Sequence, residues 1–139
     1  MEQPDIIYTK NIDNVTEDML SGFFVGWPNP PSAATHLEIL RKSYYAFVAM
    51  HHGQVVGFIN AVSDGVLTAY IPLLEVLPQY SGMGIGSELV KLMLNECKDL
   101  YMIDICHDEE LTPYYAKFKP VGQCCSTVFR NYSAQSGRM

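Results

Sequence analysis

Short runs of apolar residues, separated by turn-forming residues, divide the chain into alternating strands and helices. β-Branched and aromatic residues predict strands at residues 5–10, 44–51, 55–63, 66–77, 101–106 and 126–130. Capping residues and apolar positions three or four apart predict helices at residues 17–24, 33–42, 84–98 and 112–118. The resulting order, β, α, α, β, β, β, α, β, α, β, predicts a single α/β domain with a mixed, mostly antiparallel sheet and helices on both faces.

The connections between these runs refine the prediction. Thr16 and Ser32 are suited to cap the first two helices, and the three prolines of residues 26–32 require a loop between them. His52-Gly53 and Asp64-Gly65 predict the turns of an antiparallel meander. Pro72 predicts a bulge or a break in the ladder of its third strand. Strand 101–106 is expected to lie parallel to that strand because a helix connects the two.

Three alternating glycines precede the third predicted helix in the sequence VLPQYSGMGIGSELV, residues 76–90. A glycine loop before a helix directs unpaired backbone N–H groups at one point, and the helix dipole favours an anion there. The stretch lacks the Gly-Lys of a nucleotide-hydrolysing loop, and the G-x-G-x-x-G spacing fails because Ser87 occupies its last position. The pattern therefore indicates a phosphate or pyrophosphate site, with a glycine-rich turn that holds no ligand as the alternative.

Composition excludes several classes of protein. The chain has 139 residues, 48% of them apolar, and a net charge of −6, which does not resemble a nucleic-acid-binding surface. No apolar run approaches the roughly 20 residues that span a membrane, and the first residues do not resemble a signal peptide, so a cytoplasmic location is expected. The acidic balance favours a cationic small substrate.

The four cysteines are interpreted as reduced thiols. They are Cys97, Cys106, Cys124 and Cys125, and none has CxxC spacing. A metal site built from Cys106-His107 and Cys124-Cys125 is the alternative, but adjacent residues of a strand point to opposite faces and chelate poorly. No metal is predicted.

The segment LEVLPQYSGMGIGSELV resembles the acetyl-coenzyme-A signature of the GNAT superfamily of N-acetyltransferases. Pro78, Gly82, Gly84, Ile85 and Gly86 carry the match, and PYYAKF at residues 113–118 resembles the family's second landmark. The order of elements also fits, so the resemblance covers nearly the whole chain. Three positions depart from the pattern: Ser81 stands where Gln or Arg is usual, Asp108 where Asn is frequent, and Lys119-Pro120 where Gly-Phe is common.

The resemblance implies that acetyl-CoA is the co-substrate and that an amine attacks its thioester directly. The residues expected to bind the cofactor are Val76, Leu77, Ser81, Gly82, Met83, Gly84, Ile85, Gly86 and Ser87. The strand at residues 74–77 is expected to separate from its neighbour, and the Val76 N–H to donate to the thioester carbonyl. Tyr115 is expected to protonate the leaving thiolate, while Tyr114 is expected to serve only in packing.

Two carboxylates are candidates for the base. Glu75 interrupts the apolar run LLEVL and Asp104 interrupts YMIDIC, and a carboxylate in such a strand either lines a cavity or has a structural partner. Trp27 is expected either to line the acceptor pocket or to fill the junction between the first two helices.

Several expectations concern surfaces and partners. His51, His52 and His107 are predicted to be solvated surface side chains. The acceptor is expected to be a small-molecule or peptide amine, and the resemblance is compatible with a homodimer formed through the last strands. A catalytically silent CoA-binding module with the same fold is the alternative function.

Overall fold

The computed structural model describes residues 4–123 and 126–138. Within these ranges five strands form one sheet in chain order, and three α-helices flank it. The strands are β1 (Ile7–Thr9), β2 (Tyr45–His51), β3 (Gln54–Ser63), β4 (Thr68–Val76) and β5 (Met102–Ile105). The helices are α1 (Ala33–Lys42), α2 (Ile85–Glu96) and α3 (Thr112–Ala116). The predicted mixed α/β architecture is confirmed.

The first four strands pair antiparallel, whereas β5 lies parallel to β4, as its helical connection requires. The ladder between β3 and β4 contains the bulge predicted at Pro72. Asn60 pairs with Leu73 but Val62 pairs with Tyr70, so Ile71 and Pro72 oppose one residue. The buried Asn60 side chain compensates for the interrupted ladder, because its Oδ1 accepts from the Leu73 N–H at 3.2 Å.

Each face of the sheet has its own apolar core. Helix α2 covers one face, and its core includes Phe47, Ala49, Ile59, Ile71, Ile85, Leu89 and Met93. Helix α1 and the segment before it cover the other face, and their core includes Val15, Leu20, Phe24, Leu37, Leu40, Val48 and Phe58. Helix α2 packs closely on β3 at Gly57, where an added Cβ would lie 3.2 Å from Ile85 and 3.3 Å from Leu89.

Helix α1 forms as its capping residue predicts, but the helix predicted at residues 17–24 is wrong. The Ser32 hydroxyl accepts from the Thr35 N–H at the start of α1. Thr16 makes no such bond, and only a 3₁₀ turn forms, at Glu17–Met19. The chain then adopts positive φ at Gly22 (90°) and Phe24 (62°), which a right-handed helix cannot contain.

The strand predicted at residues 126–130 is also wrong. These residues are exposed and carry no secondary structure, and β5 pairs only with β4 among the described residues. A β-rich sequence becomes a strand only where its backbone finds a ladder partner. In the described part of the chain, no helix has the length and apolar character needed to cross a membrane.

Candidate active site

The sheet separates at the carboxyl end of β4, as predicted. The pairing of β4 with β5 ends at Ile71 and Ile105, whereas β4 continues to Val76. The Leu77 N–H donates to the Val56 carbonyl on the β3 side at 2.9 Å. Because N–H groups alternate in direction along a strand, the Val76 N–H faces away from β3, toward the edge that β5 has left. Among the residues that the structure describes, no strand pairs with this edge, so it is available to pair with an extended ligand.

The glycine loop begins two residues after Pro78–Tyr80, a 3₁₀ turn that follows β4. Gly82 and Gly84 have φ of 78° and 81°, and an added Cβ would meet nothing within 4 Å at either position. These two glycines are therefore required for backbone conformation and not for close packing. Helix α2 starts immediately afterwards, and its first hydrogen bond runs from the Glu88 N–H to the Gly84 carbonyl at 3.0 Å. The N–H groups of residues 85–87 consequently have no partner within the helix.

Gly86 has a different reason to be glycine. An added Cβ would lie 3.1 Å from the Tyr114 hydroxyl and 3.6 Å from the Val76 side chain. Val76 at the end of β4, the first turn of α2 and the Tyr114 side chain of α3 thus meet at Gly86. This convergence joins the unpaired strand edge to the unpaired N–H groups of α2.

Other predicted cofactor residues have structural contacts here. The Ser81 hydroxyl donates to the Pro78 carbonyl at 2.8 Å, and the Ser81 N–H donates to the same oxygen at 3.2 Å. Ser81 therefore stabilises the turn that precedes the loop. Leu77 is buried, and Met83 packs, half-buried, against the core beneath α2. Roles in cofactor binding remain predictions for all three residues.

A cluster of Ser87, Tyr114 and Lys117 lies beside the first turn of α2, and sequence reasoning missed two of its members. Tyr114 was expected only to pack, but its hydroxyl shares a 3.3 Å hydrogen bond with Ser87 Oγ. The Lys117 ammonium donates to Ser87 Oγ and lies 4.1 Å from the centroid of the Tyr114 ring. A cation beside a helix N-terminus opposes the helix dipole, so a bound anion would relieve this contact. The sequence signal that could have identified Lys117 is its position as a basic residue in an acidic chain, two residues after Tyr115.

Tyr115 lies beside Tyr114 on α3, with ring centroids 4.9 Å apart, and is half-buried against the core beneath α2. Burial, followed by the nearby Tyr114, raises the pKa of its hydroxyl above the ordinary value of 10.0. A raised pKa keeps the phenol protonated near neutral pH, as a proton donor requires. Its ring stacks on His107, with centroids 4.7 Å apart and an interplanar angle of 24°.

The prediction of solvated histidines holds for one of the three. His52 is exposed at its turn. His107 is half-buried against Tyr115, and its Nδ1–H donates to the Asp108 carbonyl at 2.8 Å. His51 is half-buried, with Nδ1 hydrogen-bonded to the Tyr80 hydroxyl at 2.6 Å. In both cases an aromatic ring that is distant in sequence covers the imidazole, which local patterns do not show.

Glu75 and Trp27 meet at one cavity of about 460 Å³, on the α1 side of the separated strand. The Phe24 and Val25 N–H groups donate to the two Glu75 carboxylate oxygens, at 2.8 and 3.3 Å. Trp27 lines the cavity, is 38% exposed, and packs on Phe24 with ring centroids 4.9 Å apart. Leu74 and Val76 also line this cavity, which places it against the unpaired strand edge.

Asp104 lies elsewhere. It is exposed on β5, opposite Tyr70 of β4, and it is not among the residues that line the cavity. Of the two candidate carboxylates, only Glu75 therefore faces the cavity at the separated end of β4.

A buried histidine beneath the cavity was not anticipated. His36 of α1 is 1% exposed, and its ring packs against Phe23, Phe24 and Phe58, with centroids 5.2, 5.0 and 4.3 Å away. Neither of its ring nitrogens has a hydrogen-bond partner within the described part of the chain. Burial lowers the pKa of the imidazole from 6.5 to about 4. The neutral ring thus serves as part of the aromatic packing behind Phe24.

Within residues 4–123 and 126–138, no group of three or more His, Cys, Asp or Glu side chains is placed to hold a metal ion. Cys97 is a buried free thiol and Cys106 a half-buried one. Cys124 and Cys125, the other members of the alternative metal set, lie outside the described residues.

Comparison with known proteins agrees with this geometry. The model of the Acetyltransferase (GNAT) family matches residues 12–130. An inferred acetyltransferase from Deinococcus radiodurans R1 is 39% identical, with 99% of each chain covered and a TM-score of 0.93. A GNAT family acetyltransferase from Streptococcus pneumoniae TIGR4 is 28% identical, covering 91% of this chain and 98% of its own, with a TM-score of 0.74.

A more distant structure shows the fold alone. It is an aminoglycoside acetyltransferase from an uncultured soil metagenomic sample, in complex with sisomicin, and it is 16% identical with a TM-score of 0.61. It covers 91% of this chain and 94% of its own. No curated protein sequence shows significant similarity to the chain. The family match extends over most of the 139 residues and includes both the separated strand and the glycine loop, so the chain belongs to the GNAT family of acetyltransferases.

Proposed function

We propose that the protein transfers an acetyl group from acetyl-CoA to the primary amine of a small molecule or peptide, by direct attack in a ternary complex. One observation carries the proposal. The unpaired edge of β4, the free N–H groups of α2 and the cavity with Glu75 are contiguous, because all three meet at Val76. A cofactor with a pyrophosphate, an extended arm and a reactive end fits this sequence of contacts.

The chain's own residues supply the binding groups. Backbone N–H groups of residues 85–87 would receive the pyrophosphate, and Lys117 would supply the positive charge that is missing at Ser81. The Val76 N–H would donate to the thioester carbonyl, where negative charge develops in the transition state. Gly82 and Gly84 keep the loop free of side chains at this approach.

The reaction forms a C–N bond and breaks the C–S bond of the thioester. The attacking amine must lose a proton, and Glu75 is the favoured base or anchor because it faces the cavity, whereas Asp104 does not. The sulfur leaves as a thiolate and takes a proton from the Tyr115 hydroxyl, whose raised pKa keeps that proton available near neutral pH.

A CoA-binding module without transfer activity is the second candidate. Ser81 is the observation that favours it. Its hydroxyl and its N–H both donate to the Pro78 carbonyl, and its side chain is too short to replace the usual Gln or Arg at a pyrophosphate. The proposal also includes a cytoplasmic location, which rests on the composition, and a homodimer, which rests on the family resemblance.

The test measures release of the CoA thiol from acetyl-CoA in the presence of a panel of primary amines. We expect amine-dependent release, and a Tyr115→Phe variant with turnover lower by about 100-fold and unchanged acetyl-CoA binding. Tyr101→Phe is the matched control, because Tyr101 is 81% exposed. Acetyl-CoA binding without transfer to any amine would favour the silent module. Unchanged turnover in Tyr115→Phe would show that another group protonates the thiolate.

A further inference from the structure

The residues that line the cavity at Glu75 have apolar side chains, apart from Glu75 itself, and backbone groups of the loop and of β4 supply further polar surface. Phe24 and Trp27 contribute aromatic rings from the loop, Phe58 contributes one from β3, and Pro72, Leu73 and Leu74 belong to β4. Within residues 4–123 and 126–138, Glu75 is the single charged side chain that lines the cavity. The volume of about 460 Å³ lies within the range of small-molecule sites.

We propose that the acceptor is a monoamine with one primary ammonium group and a compact apolar body, such as an arylalkyl or cycloalkyl amine. The inference rests on the proposed function and specifies its substrate class. The ammonium would lie against Glu75, and the apolar body would occupy the space between Trp27 and the strand.

Glu75 is held in position to receive a single cation. Its two oxygens accept hydrogen bonds from the Phe24 and Val25 N–H groups, about 50 residues away in sequence. A carboxylate offers about four acceptor positions, so two are used here and two remain for an incoming ammonium. Because backbone groups fix the carboxylate, its orientation needs no rearrangement when the amine binds.

The aromatic wall is also fixed before a ligand arrives. The loop that carries Trp27 is attached to β4 through Glu75 and to the C-terminal segment through a 2.8 Å hydrogen bond from the Asn29 N–H to Gln135 Oε1. Phe24, whose N–H makes the first of these attachments, adopts a φ of 62°, a conformation that a residue of this size rarely adopts. Burial of an apolar body against such a preformed wall is favourable because little conformational entropy is lost.

The same lining disfavours other amines. Polyamines and aminoglycosides carry several cations and little apolar surface, so they would leave the apolar side chains uncovered and would find one carboxylate among the described lining residues for several charges. Amino acids add a carboxylate, which Glu75 repels. Among the acidic residues that the structure describes, Glu75 alone lines the cavity, so the overall charge of −6 does not select the acceptor.

Trp27 gives a direct test that does not depend on catalysis, because it is the only tryptophan in the chain and it lines the cavity. Its fluorescence is titrated with 2-phenylethylamine, 2-phenylethanol, phenylalanine and spermidine, with CoA present. We expect a saturable change with 2-phenylethylamine and binding that is at least about tenfold weaker for phenylalanine and spermidine. Tighter binding of spermidine, or no saturable response to 2-phenylethylamine, would overturn the inference.

A charge-removing variant separates the ammonium contact from the shape of the loop. Glu75→Gln should weaken 2-phenylethylamine by about tenfold or more while leaving 2-phenylethanol within about twofold of wild type. An equal loss for both ligands would show that Glu75 only holds the loop, and would contradict the ammonium contact. Glu38→Gln is the matched control, because Glu38 lies on α1, pairs with Lys42 and does not line the cavity.

Amine binding and CoA thiol release together distinguish a wrong acceptor class from a wrong enzyme activity. CoA thiol release with spermidine but not with 2-phenylethylamine would support the proposed function and refute the monoamine. Saturable 2-phenylethylamine binding without any thiol release would support the acceptor site and refute transfer.

Discussion

His36 gives the protein a pH-dependent stability that a single substitution should remove. The imidazole is buried among Phe23, Phe24 and Phe58, and neither ring nitrogen is hydrogen-bonded within the described residues. Protonation would place an unpaired charge in this aromatic cluster, which is why burial lowers the pKa to about 4. His36→Phe keeps a ring of similar shape and removes the titrating group.

The size of the effect follows from the two pKa values. The unfolded chain binds a proton at His36 below pH 6.5, whereas the folded protein binds it only below about pH 4. The free energy of unfolding therefore falls as the pH drops below 6.5, and the loss is complete only below the folded-state pKa of about 4. Linkage gives a loss of about 1.4 kcal/mol at about pH 5.5, and about 3 kcal/mol in full.

The assay is urea unfolding at about pH 7.5 and about pH 5.5, which keeps the protein above its isoelectric point near 5.0. Relative to His36→Phe, the wild type should lose about 1.3 kcal/mol more on acidification. Comparing the two pH values cancels any constant packing difference between the proteins. His52→Asn controls for loss of a histidine at an exposed turn with positive φ, which Asn tolerates. Parallel pH dependence in the wild type and His36→Phe would refute the reasoning.

Three further predictions concern the loop, the packing and the cofactor. Gly84→Ala forces a side chain into φ of 81°, so its free energy of unfolding should fall by about 1 kcal/mol in urea titration, and unchanged stability would contradict the strain. Gly57→Ala should lower it by about 1–3 kcal/mol, because the added methyl group lies 3.2 Å from Ile85; a stabilised protein would show that α2 moves away freely. Lys117→Ala should raise the KM for acetyl-CoA about fivefold and reduce its salt dependence, while Lys98→Ala, beyond the far end of α2, should not. Equal KM values for these two lysine variants would argue against a phosphate contact.

Local sequence patterns were sufficient for most of the fold because its signals are local. Ser32 as a cap, the His52-Gly53 turn and the glycines before α2 each determine backbone conformation within a few residues. The helix predicted at residues 17–24 failed because Phe24 adopts positive φ while its N–H is held by Glu75. That contact spans 51 residues, and no local pattern encodes it.

The site was predictable where a motif fixes the backbone and less so where side chains meet from distant elements. The positive-φ glycines of the loop and the separation of β4 follow from the motif, although their roles in binding remain predictions. The contact of Lys117 with Ser87 and the stacking of His107 on Tyr115 depend on how α3 packs. The burial of His36 likewise depends on three aromatic rings from two other segments, so its sequence neighbours give no sign of it.

Binding of acetyl-CoA is the central claim, and calorimetric titration of acetyl-CoA into the purified protein tests it most directly. We expect saturable binding at one site, and a gain of about 2.7 kcal/mol in the free energy of unfolding at roughly one hundred times the Kd. CoA should bind as well, whereas NAD and ATP should not. Absence of binding and of stabilisation at high acetyl-CoA concentration, or equal binding of NAD, would contradict the account.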